Sequence, residues 1–88
     1  MNYKVEIKGV RQDHQTGKFQ AAIAVLVNKE TSRGFLPGYF NSGEDAERFA
    51  IEIRNIHVEV PSGLSDRKAA DFVCEQLCNI ATSQKNSS

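Results

Sequence analysis

The stretch Phe19-Gln20-Ala21-Ala22-Ile23-Ala24-Val25-Leu26-Val27 constrains this chain more than any other. Read with the period-two alternation of a β-strand, Phe19, Ala21, Ile23, Val25 and Val27 share one face, and Gln20, Ala22, Ala24 and Leu26 share the other. Both faces are therefore largely apolar. A sheet covered on one side by helices needs only one apolar face per strand, so the second face calls for a partner of its own.

The remaining elements follow from periodicity and punctuation. Tyr3, Val5 and Ile7 alternate with Lys4, Glu6 and Lys8 as a first strand, and Thr16-Gly17 marks the turn that follows. Asn28 to Gly34 reads as a charged turn, and Phe35 to Phe40 as a third strand broken by Pro37-Gly38, at an edge or a bulge. Ser42 and Asp45 have capping-box spacing and open a helix over Glu44 to Arg54, with Ala46, Phe49, Ala50 and Ile53 as its apolar stripe. Ile56 to Val60 alternates as a candidate fourth strand and ends at Pro61-Ser62-Gly63. Ser65 caps a second helix, Asp66 to about Ala81, with Ala69, Val73, Leu77 and Ile80 as its stripe. The order β-β-β-α-(β)-α predicts an α+β fold, a three- or four-stranded antiparallel sheet with two helices packed on one face. At 88 residues this is a single domain over residues 1–82, with a flexible polar tail over 83–88.

Composition narrows the class of function. An apolar fraction of 40% and a charged fraction of 25% suit a globular domain rather than a disordered chain. No apolar run reaches the ~18–20 residues of a membrane span, and the N-terminal residues carry no apolar leader stretch. With only two cysteines, a reducing cytoplasm is the expected setting. Catalysis needs a nucleophile, a base and an orienting group, and the candidates do not converge. His14 falls in a polar turn, and His57 points off the apolar side of its segment. Cys74 and Cys78 stand one helical turn apart and supply two ligands where structural zinc needs four. Gly34, Gly38 and Gly43 are spaced as turns, not as a phosphate loop. The chain reads as a non-enzyme, with no catalytic residue, no metal site and no cofactor.

Charge and the second face of the sheet point to binding instead. Net charge is zero, but residues 1–34 hold six basic and three acidic side chains, a net +3, and the remainder is −3. If Leu36 and Phe40 point to the core, Phe35 and Tyr39 point outward beside Ala22, Ala24 and Leu26, with Val10 a further candidate on that side. Lys8, Arg11, Lys18 and Arg33 form a basic rim. Aromatics and cations on a flat sheet suit base stacking and phosphate contact. The expected function is a small binding module whose sheet face holds nucleic acid or a nucleoprotein complex. The alternative is a phage or mobile-element inhibitor that binds and blocks a host protein complex. The same face could instead be covered by the second helix or by a second copy of the chain, as a homodimer. No membrane contact is expected.

Three segments carry a resemblance: Gly9-Val10-Arg11-Gln12, Gly17-Lys18-Phe19-Gln20-Ala21-Ala22-Ile23, and Pro37-Gly38-Tyr39-Phe40-Asn41-Ser42-Gly43-Glu44-Asp45-Ala46-Glu47-Arg48-Phe49-Ala50. Over roughly residues 8–54 the chain resembles the plant ethylene-response-factor type DNA-binding domain and its relatives, the arm-binding domains of tyrosine integrases and homing-endonuclease appendages. The resemblance implies a three-stranded sheet on one helix that reads the DNA major groove with the sheet. Ala22 and Ala24 stand where that family carries charged contacts, and the chain has no tryptophan. In layout alone, it is also similar to small phage anti-CRISPR proteins.

Overall fold

Strand alternation in Phe19–Val27 places one set of side chains against the helices, and the rest of the molecule is arranged around that strand. The computed structural model describes residues 2–86. β1 (Lys4–Gln12), β2 (Phe19–Val27) and β3 (Glu30–Phe35) form an antiparallel sheet in the order β1-β2-β3, so β2 is central. α1 (Gly43–Arg54) lies over β1 and β2, and α2 (Asp66–Asn86) over β2 and β3. The core joins Ala21, Ile23, Val25 and Val27 of β2 to Ala46, Ala50 and Ile53 of α1 and to Ala69, Val73 and Leu77 of α2. This is the expected α+β layout with both helices on one face.

Both helices start at the expected serines. The Ser42 hydroxyl accepts the Asp45 N–H at 3.1 Å, and the Ser65 hydroxyl accepts the Lys68 N–H at 3.3 Å. α2 runs further than its apolar stripe implies, to Asn86. Nothing in Thr82 to Asn86 stops a helix, and the Thr82 hydroxyl donates to the Cys78 carbonyl at 3.0 Å, one turn back. Residues 83–86 of the expected tail are thus helical, and 87–88 lie outside the described residues.

The third strand lies earlier than expected. The connection after β2 is only Asn28-Lys29, since Val27 already pairs with Glu30. Asn28 takes φ 54, a left-handed conformation that asparagine tolerates better than most residues. The charged run Glu30 to Arg33 is therefore strand, at a sheet edge where Arg33 is exposed, Glu30 and Thr31 are half-buried and Ser32 is buried against α2. Beyond Phe35 the ladder breaks at Pro37-Gly38, and Phe40 returns in a single bridge to Phe19. β1 carries a bulge between Ile7 and Gly9, where Gly9 takes φ 138. The bulge turns Val10 to the core side, opposite Ala21, so Val10 does not join the outer face.

Ile56 to Val60 is not a fourth strand. Val58 is buried while Ile56 and Val60 are half-buried, so the alternation reports a side facing the core. The Val58 N–H is satisfied by the Tyr3 hydroxyl at 2.8 Å rather than by a neighbouring strand. His57 projects outward, stacked on Tyr3 with ring centroids 6.3 Å apart.

Candidate functional site

On the side away from the helices, strand register builds cross-strand rows. Lys4, Leu26 and Thr31 form one, Glu6, Ala24 and Arg33 the next, then Gly9, Ala22 and Phe35, and finally Arg11 with Gln20. The central strand contributes mostly methyl groups, whereas the outer strands carry the long side chains. The result is a trough with a low floor. Lys8, Ala22, Arg33 and Phe35 line a basin of about 530 Å³ within it. The bulge brings Lys8 to the basin's β1 side.

Phe35 is 44% exposed and held in place. The Arg11 guanidinium lies over its ring, 4.0 Å from the centroid. Arg11 Nη2 also donates to Gln20 Oε1 at 3.3 Å, and Gln20 Nε2 donates to the Leu36 carbonyl at 3.0 Å. Gln20 is 8% exposed, so a buried amide anchors the arginine that braces the aromatic ring. Arg11 and Gln20 stand in the row on one side of Phe35, and the basin opens on the other.

The expected rim and patch residues are thus only partly gathered. Lys8, Arg11, Arg33, Phe35, Ala22 and Leu26 share the outer face. Tyr39 is exposed at the far end, in the loop before the Phe40 bridge. Lys18 stands in the β1–β2 connection, beyond the Arg11–Gln20 row, where its carbonyl accepts the Asp13 N–H at 2.8 Å. Ala24 lies on this face by register but is 0% exposed, so it is floor and not contact surface. Gln20 is the organising residue that strand alternation leaves without a role. Its signal is being the one polar side chain in a strand otherwise apolar.

The electrostatics are two-sided. Lys4, Lys8, Arg11 and Arg33 against Glu6 give the outer face a net +3. Among the described residues no carboxylate pairs with Lys4, Lys8 or Arg33. The exposed acids Glu44, Asp45, Glu47, Glu52, Asp71 and Glu75 lie on the helices. Arg48 and Arg67 lie among them and pair with Asp45 and Asp71 at 3.7 and 3.6 Å, and with Arg54, Asp66, Lys68 and Lys85 counted, α1 is net −2 and α2 neutral.

Cys74 and Cys78 are free thiols facing β3. A Cβ added at Gly34 would stand 3.4 Å from Cys74 Sγ. The Cys78 thiol, which also reaches the Phe35 carbonyl at 3.8 Å, acts on its neighbour to hold the Cys74 thiol down, from 9.0 to about 6, while burial pushes it up and the Ser32 hydroxyl adds to the lowering. The same interaction, and then burial, push the Cys78 thiol up. Because the folded value of Cys74 is depressed, the stability it contributes is complete above about pH 9 and is lost as pH falls through about 6. The raised Cys78 acts in the opposite sense, withdrawing stability as pH climbs beyond its unfolded value. Cys78→Ala removes the donor, so the Cys74 thiolate should form at distinctly higher pH, followed by its ultraviolet absorbance. An unchanged titration would show that the two thiols are not coupled. Among the described residues no three His, Cys, Asp or Glu side chains gather as metal ligands, and no helix is long and apolar enough to cross a membrane.

Comparison with known protein families, curated proteins and solved structures finds no match to this chain.

Proposed function

We propose that this protein is a small, non-catalytic binding module that holds nucleic acid, free or within a nucleoprotein complex, on the outer face of its sheet. The observation that carries this reading is the basin itself. An exposed, braced phenylalanine stands over a floor of small residues, with Lys8 and Arg33 beside it and, among the described residues, free of carboxylate partners. Cations supply phosphate contacts, and an aromatic ring on a sheet supplies a surface for bases. On the opposite side α1 carries a net −2, against +3 on the outer face, and this difference favours approach of phosphates to the sheet. The resemblance of residues 8–54 to ethylene-response-factor type domains points to the same face. A reducing cytoplasm would suit the two free thiols.

Fluorescence anisotropy with labelled oligonucleotides tests the reading. If the four cations of the face each meet a phosphate, affinity should fall roughly a hundredfold between about 50 mM and 200 mM salt. Affinity that ignores salt over that range would remove nucleic acid as the partner. A protein that stays bound after nuclease treatment would favour the blocking of a host complex, as a phage or mobile-element inhibitor does. Concentration-dependent sedimentation, abolished by a charge introduced at Phe35, would instead assign the face to a homodimer.

A further inference from the structure

Resting on that reading, we infer that the basin between Phe35 and Arg33 takes one unpaired base, so that the partner is single-stranded rather than duplex nucleic acid. The first support is shape. The floor is Ala22, with fully buried Ala24 in the next row, and the walls are Phe35, Lys8 and Arg33. A sheet that reads a duplex reaches base edges in the groove with long polar side chains. Here the centre carries methyl groups, and the outer strands carry the long side chains. Gln20, the one amide on the central strand, is already engaged on both sides, accepting from Arg11 at 3.3 Å and donating to the Leu36 carbonyl at 3.0 Å.

The second support is fit. The basin's volume of about 530 Å³ falls within the ~300–1,000 Å³ range of small-ligand sites. A flat apolar floor meeting an aromatic wall suits the face of a nucleobase, and every base has such a face. Lys8 on β1 and Arg33 on β3 flank that position from opposite sides, where the phosphates before and after an inserted base would run. Arg11 over the ring and its bond to Gln20 fix Phe35 in advance, so little freedom is lost when a base arrives. Base and phosphate are common to DNA and RNA, and either single strand satisfies this chemistry.

The test compares a short oligothymidylate, an oligouridylate, a strand of the same length made entirely of abasic sites, and a duplex of that length. Both base-bearing single strands should bind about tenfold tighter than the duplex at moderate salt. Phe35→Leu keeps an apolar side chain at a half-exposed site but removes the stacking surface. It should weaken the base-bearing strands about tenfold and leave the abasic strand unchanged. Ala22→Leu fills the floor without altering charge and should give the same pattern. Circular dichroism confirms that each variant folds, and either variant alone suffices. A duplex that binds as tightly as the single strands overturns the inference and leaves the nucleic-acid reading standing. So does an equal loss on base-bearing and abasic strands. If no probe binds, both fall.

Discussion

Leu77→Ala is expected to cost about 2–5 kcal/mol and to leave much of the protein unfolded at physiological temperature. Leu77 is 0% exposed at the centre of the α2 stripe, in the cluster that joins the helix to Ile23, Val25 and Val27 of the sheet. It lies between α2 and a sheet held by backbone hydrogen bonds, so the space it leaves cannot readily collapse. A domain of 88 residues has only about 4–13 kcal/mol in hand, at roughly 0.05–0.15 kcal/mol per residue. Phe49→Ala is the informative contrast. Phe49 is the larger side chain, but it is half-buried at the edge of the core, tilted against Phe40 with centroids 5.1 Å apart. Its loss should cost less, about 2 kcal/mol, because part of the ring already meets water. Denaturant midpoints of the two variants measure the difference. A reversed order would mean that α1, not α2, anchors the sheet.

Apolar periodicity made the helices legible, because a stripe and a capping serine are local signals. It made the central strand legible for the same reason. It misplaced the third strand because Glu30 to Arg33 carries the polarity of a loop. At a sheet edge Arg33 stays in water while Ser32 and Glu30 find partners on α2, and the real turn is the two residues Asn28-Lys29. The alternation in Ile56 to Val60 was genuine, but alternation reports which side is buried and not whether a strand lies alongside. At the site, the composition of the outer face was visible, since β2 shows both of its faces in sequence. Three features were not. The Gly9 bulge decides that Lys8 lines the basin and Val10 does not. The full burial of Ala24, between Glu6 and Arg33 in its row, is not a property of its own alternation. The bond between Gln20 and the Leu36 carbonyl spans 16 residues and rests on the exact course of the chain after Phe35.

Reversing both basin cations, Lys8→Glu with Arg33→Glu, is expected to lower affinity for nucleic acid by a hundredfold or more. Each substitution takes a cation away from a phosphate and places a repelling carboxylate beside the same phosphate, so the effect on the pair should exceed simple neutralisation. The logarithmic salt slope should shrink by about 1.4 units on a single strand, roughly 0.7 for each cation removed. Folding should hardly change, because both side chains are exposed, and surface charges of this kind are worth about 0–1 kcal/mol. Lys18→Glu is the decisive control. It alters net charge as much as either single change, yet Lys18 stands beyond the Arg11–Gln20 row and does not line the basin. If binding runs through the basin, Lys18→Glu should cost only a few-fold, and that loss should vanish as salt rises, as long-range effects do. If Lys18→Glu weakens binding as much as Arg33→Glu, the attraction belongs to the whole positive half of the molecule. The basin would then have no special part in it.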